Sequence, residues 1–168
     1  NKFYSFNTFQ DLSYIDPRFT VTGRMRYAYV LTGNSTNNLF QRCHADQARH
    51  SFVTQSRVPG PNVFLDCTAT NALNDSGPHH RWATGILYDN TAGAMLRVHN
   101  RATSGGGHGW AGAQHMFWNT QHKQYVLDII PNINNAVGHP CEYIAVKLAP
   151  KSASCVSAGF WSASAAVS

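Results

Sequence analysis

The residues best suited to chemistry lie between Pro78 and Trp118. This segment opens with His79-His80-Arg81-Trp82, continues through His99-Asn100-Arg101, and closes with His108-Gly109-Trp110 and Gln114-His115-Met116. Hydrolysing a phosphodiester without metal requires a base or nucleophile, an acid for the leaving oxygen, and fixed positive charge on the phosphoryl oxygens. Histidine beside arginine supplies all three, which makes His79, Arg81 and His99 the candidate catalytic residues. Asn100, Arg101, His108, Trp110, Gln114 and His115 are then the candidate substrate contacts. The run Gly105-Gly106-Gly107 lets backbone amides approach an anion closely.

Other chemistries fall away. The acidic groups are only Asp11, Asp16, Asp46, Asp66, Asp75, Asp89, Asp128 and Glu142, and their spacing suggests neither a carboxylate pair nor a hard-cation site. The zinc-protease, nucleophile-elbow and phosphate-loop motifs do not occur. His108, His115 and His122 recur every seventh residue, which on a helix is about 10.5 Å per step and too far for one shared metal ion. The sequence therefore predicts neither a metal nor a cofactor.

Charge points to an anionic partner. Lys plus Arg number 13 against 8 Asp plus Glu, a formal charge of +5, with nine histidines in reserve for acidic media. Arg18, Arg24 and Arg26 form one cluster, and Arg42, Arg49 and Arg57 another; guanidinium suits bidentate contact with phosphate. Nucleic acid or another phosphate- or sulfate-bearing polymer is the expected partner, with DNA preferred. Four tryptophans (Trp82, Trp110, Trp118, Trp161) with many amides suit sugar recognition, so a glycan-binding, lectin-like defence or toxin protein is the alternative. A two-histidine ribonuclease is a third reading, separable by its need for a 2′-hydroxyl.

These side chains need a scaffold. The 168 residues suit a single domain, 1–168. Charged residues are 12% and aromatics 12%, so a core is available while the polar surface comes from Asn, Ser, Thr, Gln and Gly. No run reaches the ~18 apolar residues of a membrane helix. The chain starts at Asn1 without Met, which reads as a mature, secreted form. Asn34 and Asn74 stand in glycosylation sequons. Cys43, Cys67, Cys141 and Cys155 form no C-x-x-C pair and predict two disulfides, with Cys43–Cys67 and Cys141–Cys155 the favoured pairing among three.

Strand patterns cover Tyr27–Leu31, Phe52–Gln55, Val63–Cys67, Thr84–Tyr88, Ala94–His99, Tyr125–Ile130, Tyr143–Leu148 and Gly159–Ser162. Thr8, with Asp11 three residues on, predicts a short helix to Ile15, and Ala111–His122 predicts a second. Asp89-Asn90-Thr91-Ala92-Gly93 reads as a hairpin loop joining two strands. The sequence shows no internal repeat. The expected fold class is α+β and β-rich: a single sheet-centred domain with a few helices, closed by two disulfides.

The stretch Thr84-Gly85-Ile86-Leu87-Tyr88-Asp89, then Gly93, Leu96-Arg97-Val98-His99 and Gln114-His115-Met116-Phe117, resembles the amino-terminal half of deoxyribonuclease II, of the phospholipase D superfamily. It covers about a quarter of the chain. The family's His-x-Lys falls on Trp82 and Thr84 in the ungapped register, and on His79 and Arg81, with arginine for lysine, after a short shift. The resemblance implies an α/β sandwich and metal-independent DNA hydrolysis favoured by acid, with His79 and Arg81 catalytic and His99 secondary. That family carries two such halves and this chain one, so an active site of that kind implies a homodimer.

Overall fold

A computed structural model describes residues 5–128 and the strand 144–148. The chain winds into a parallel β-solenoid. The first coil holds β1 (Thr8–Gln10), β2 (Ser13–Tyr14) and β3 (Tyr27–Leu31), and the second β4 (Asn38–Gln41), β5 (His44–Asp46) and β6 (His50–Thr54). The third holds β7 (Asn62–Leu65), β8 (Thr68–Thr70) and β9 (Gly77–Pro78). Then come β10 (Ala83–Thr84), β11 (Ile86–Asp89), β12 (Ala92–Val98), β13 (Gly112–Ala113), β14 (His115–Leu127) and β15 (Ile144–Leu148). Every paired strand runs parallel to its neighbours, as each coil stacks on the one before: β1-β4-β7-β11-β14-β15 on one face, β2-β5-β8-β12-β14 on the second, β3-β6-β9 on the third.

Successive coils put like residues in register, and that is what holds the stack together. Phe9, Phe40, Phe64, Tyr88 and Phe117 form an inward column with ring centroids 4.6, 5.1, 5.1 and 5.3 Å apart. Phe40, Phe64, Tyr88 and Phe117 are almost fully buried; Phe9 closes the column at its exposed end. Beside them an amide ladder climbs the coils: the Asn7 side chain donates to Asn38 Oδ1, and the Asn38 side chain to Asn62 Oδ1, both at 3.0 Å. Such buried bonds are each worth about 1 kcal/mol net, and an apolar replacement would leave backbone groups unpaired.

The corner after each strand of the first face explains two corrections. Asp11, Arg42, Asp66, Asn90 and Asn119 all have φ between 49° and 55° and turn the chain from one face to the next. Asp66 N–H donates to Asp89 C=O at 3.0 Å, and Asn90 N–H to Trp118 C=O at 2.9 Å. The Asp89–Gly93 loop is thus a corner and not a hairpin; β11 and β12 pair with strands of other coils. The repeat that the sequence reading did not find is a coil of 24 residues, aligning Asn38 with Asn62 and Phe40 with Phe64.

The α+β expectation is likewise overturned. Residues 8–15 form β1 and β2, and 112–127 form β13 and β14, because their side chains pair across coils rather than along a helix face. The one helical turn described, Ser104–Gly107, carries Gly105 and Gly106 at φ 61° and 82° and is a glycine turn. The α/β sandwich implied by the deoxyribonuclease II resemblance does not form. Nor does the Cys43–Cys67 disulfide. Both cysteines are buried free thiols on consecutive coils, Cys43 facing Gln41 C=O at 3.5 Å and Cys67 facing Leu65 C=O at 3.2 Å. Burial pushes the Cys67 thiol up to about 12. Cys141, Cys155, Trp161 and the predicted strand 159–162 lie outside the described residues. No described helix is long and apolar enough to cross a membrane.

Candidate functional site

Two adjoining features collect the chemistry. The first is an open cleft of about 590 Å³ lined by Arg57, Arg81, Trp82, His108 and Trp110, with Val58, Pro59 and Thr84 completing its wall. Consecutive coils build it. Arg57 N–H donates to Arg81 C=O, and Trp82 N–H to Trp110 C=O, both at 2.8 Å. Arg57 and Trp82 occupy matching positions one coil apart, at φ 57° and 49°. A bulky residue in the left-handed region costs about 1–2 kcal/mol, and Trp82 stays 44% exposed, outside the buried core.

Trp110 and His108 reach the cleft on a finger formed by residues 99–111. Asn100 bridges antiparallel to Trp110, Arg101 N–H donates to Gly109 C=O at 2.7 Å, and Ala111 N–H to His99 C=O at 3.1 Å. Gly105 sits at φ 61°, which favours glycine, and a Cβ there would lie 2.1 Å from His108 Nε2 and displace that ring. Arg101 anchors the finger by donating to the His79 carbonyl.

The second feature is a polar cluster at the start of β6 and in the segment 75–79. Asp75 is buried; His50 Nδ1 bonds its backbone carbonyl at 3.1 Å and lies 3.0 Å from its Oδ1, which accepts from Arg97 at 3.0 Å, and its Oδ2 accepts from Arg97 Nε at 3.2 Å. His79 Nδ1 faces Asp75 Oδ2 at 3.7 Å, and His79 Nε2 meets the Tyr27 hydroxyl at 3.2 Å. Arg49 donates to the same hydroxyl at 3.2 Å, with its guanidinium 5.8 Å from the centre of the Tyr27 ring. Gly77 makes the segment fit; a Cβ there would sit 2.3 Å from the Arg97 carbonyl oxygen.

Rings link the two features. His50 to His79 is 3.9 Å between centroids, His79 to His80 5.1 Å, and His80 to His108 4.2 Å in a stacked pair. Burial lowers His79, His99 and His108, and brings His80 down to about 4, helped by repulsion from His108. The imidazoles of the cluster and cleft that shift are therefore neutral at neutral pH and can accept protons. Burial alone would raise Asp75, but the neighbouring His50 and His79 imidazoles and the Arg97 charge outweigh it and hold the carboxyl below its ordinary range.

His50, Asp75 and His79 bring one ligand atom each within 4.8 Å and could hold a divalent transition metal. Against this, Arg97 bonds both carboxylate oxygens of Asp75, and Arg49, Arg97 and Arg101 surround the cluster with positive charge. The surroundings favour an anion over a cation.

The sequence-predicted residues divide accordingly. Arg81, His108 and Trp110 meet in the cleft, and Arg101 supports it. His79 is 4% exposed and faces the polar cluster rather than the cleft. His99 is half-buried on the finger; Asn100 is exposed, its N–H bonded to Asp128 and its Oδ1 accepting from Ala102 N–H. Gln114 is exposed at φ 58°, and His115 is buried in the core, where Ile86 N–H approaches its Nδ1 at 3.4 Å. Asn34 is exposed in a turn, whereas Asn74 is half-buried and caps Asp75 N–H. Tyr27, Arg49, His50 and Asp75 were not among the predicted site residues. His50 and Tyr27 sit opposite each other in register, a relationship that only the coil period reveals.

Fold and site together define a parallel β-solenoid with a cationic, aromatic cleft on its side. The chain matches no family model, no curated protein and no solved structure.

Proposed function

We propose that the chain binds an acidic polysaccharide in the Trp82–Trp110 cleft. The observation that carries this is the indole of Trp82, partly exposed in the cleft beside Trp110, Arg57 and Arg81. Indole faces match the CH faces of pyranose rings, and guanidinium groups match carboxylates or sulfates. Coils stack about 4.8 Å apart, so Arg57 and Trp82 on neighbouring coils offer a cation and a ring close enough to meet the carboxylate and the face of one sugar or of two adjacent ones. The solenoid side is long enough for an extended chain to lie across several coils. An exported protein carrying a glycan at Asn34 fits this reading, because that turn is exposed.

Affinity electrophoresis through gels containing polygalacturonate, alginate, dextran or single-stranded DNA tests it. Retardation by one or both acidic polysaccharides and not by dextran, lost in Arg81→Ala, is expected. Retardation by dextran alone, or by none of the four, overturns it.

The His80–His108 stack beside Arg81 favours a second reading, metal-independent phosphodiester hydrolysis with DNA preferred over RNA, as the deoxyribonuclease II resemblance implies. Its signature is cleavage of DNA in EDTA, faster at acidic pH and lost in His108→Ala. Intact DNA and RNA after incubation exclude it.

A further inference from the structure

Tyr27 stands out because nothing about packing explains its surroundings. It is half-buried, and its hydroxyl joins an imidazole backed by a buried carboxylate to an arginine. We propose that Tyr27 is a catalytic acid–base residue that cleaves a uronate-containing polymer by β-elimination, with His79 and Asp75 positioning its proton and Arg49 stabilising its phenolate. The inference rests on the acidic-polysaccharide reading above and names its substrate class and reaction.

Three observations converge on this chemistry. Asp75, the carboxylate facing His79, is buried and ion-paired with Arg97, which suits it to positioning a neighbouring group rather than to attacking or protonating a sugar. Arg49, Arg97 and Arg101 lie around the Tyr27–His79 pair against a single acid, leaving net positive charge to neutralise a sugar carboxylate and acidify the carbon beside it. And the hydroxyl–imidazole–carboxylate chain is the arrangement that removes a proton from a hydroxyl and returns it. The His79–Asp75 separation of 3.7 Å is longer than a hydrogen bond, as is common before substrate tightens a site.

The step balances without water or oxidant. His79 Nε2 takes the Tyr27 proton, and the phenolate, held by the Arg49 N–H, takes the proton from the carbon bearing the sugar carboxylate. The C–H electron pair forms a carbon–carbon double bond, the bond from the next carbon to the glycosidic oxygen breaks, and that oxygen takes the proton back from Tyr27. His79 then returns its proton to the phenolate. The products are a new sugar end and an unsaturated uronate. The ring chain from His79 through His80 to His108 places Tyr27 within one short polymer segment of the cleft.

The experiment incubates the full chain and its Tyr27→Phe variant with polygalacturonate, alginate and hyaluronate, following ultraviolet absorbance of the unsaturated product, while gel retardation reports binding of the same polymers. Wild type is expected to generate the double bond on at least one polymer. Tyr27→Phe, which keeps the ring, should lose about 100-fold or more of that rate, the span of general acid–base catalysis, with retardation unchanged. His79→Gln should lower the rate and shift its pH profile, as a merely structural role would not. Retardation by a uronate polymer without double-bond formation, cleavage that yields reducing ends but no unsaturation, or an unimpaired Tyr27→Phe variant overturns this inference and leaves the binding reading standing. No retardation by any of the three overturns both.

Discussion

The Trp82 amide donates to the Trp110 carbonyl at 2.8 Å, so two indole-bearing residues from different coils are fixed to each other through the backbone and not through their rings. The strain at Trp82, φ 49°, is therefore separable from its side chain. Replacing Trp82 by glycine removes the Cβ clash while keeping the amide, and should leave thermal stability unchanged or raise it by up to about 1 kcal/mol. A melting curve checks this; a drop of several degrees would show that the indole packs into the fold.

Close stacking of coils sets a second expectation. A Cβ at Gly60 would meet the Gly85 carbonyl oxygen at 2.2 Å, backbone against backbone, whereas one at Gly23 meets nothing within 4 Å. Gly60→Ala should cost about 2–3 kcal/mol, typical of forced overpacking, and Gly23→Ala should stay within about 0.5 kcal/mol of wild type. Chemical denaturation of the two variants measures the contrast, and equal stabilities would contradict the register of the second and third turns.

Acid should weaken the fold through its buried histidines. Burial lowers His115 and His122 to about 3 from an ordinary 6.5. Between those values the unfolded chain binds protons that the folded chain refuses, so stability falls as pH drops from 6.5 towards 3. Each group contributes roughly 1.4 kcal/mol per pH unit over that interval. Calorimetric melting at pH 7, 6, 5 and 4 should show a steepening decline, and a flat profile to pH 4 would contradict the burial of these two rings.

The thiols of Cys43 and Cys67 should be unreactive in the native protein and free after denaturation. Burial that pushes Cys67 up to about 12 also removes the thiolate that alkylation requires. Iodoacetamide labelling followed by peptide mass spectrometry separates the cases. Labelling of both only in denaturant is the expected result, and a Cys43–Cys67 linked peptide would restore the disulfide.

Several strands were legible in the sequence, others, at 8–15 and 111–122, carry a helix pattern there instead, and the connection between coils was not legible. Tyr27–Leu31 coincides with β3, and the stretch Thr84–Tyr88 contains most of β11, because β-branched and aromatic residues mark a strand whatever its partner. Parallel stacking between coils leaves its mark only at long range. Asn38-Leu39-Phe40-Gln41-Arg42-Cys43-His44-Ala45 and Asn62-Val63-Phe64-Leu65-Asp66-Cys67-Thr68-Ala69 share Asn, Phe, Cys and Ala at matching places, and these are the amide ladder, the ring column and the buried corner. Cysteines spaced by that period invite a disulfide reading, although the same spacing places them one above the other in a repeat. Arg81, His108 and Trp110 were found because cationic and aromatic residues cluster locally. Tyr27, Arg49 and His50 escaped, since they reach Asp75 and His79 only after a full coil has closed.

On the proposed reading, the cleft takes an acidic polysaccharide and the indole of Trp82 meets it. Titration calorimetry of polygalacturonate and alginate into wild type and Trp82→Gly, at low and at moderate salt, tests this most directly. Salt-sensitive binding of at least one polymer by wild type is predicted, with affinity at least tenfold weaker, about 1.4 kcal/mol, in a variant that melts no lower. Equal affinity in the two proteins, or no binding of either polymer by wild type, would contradict it.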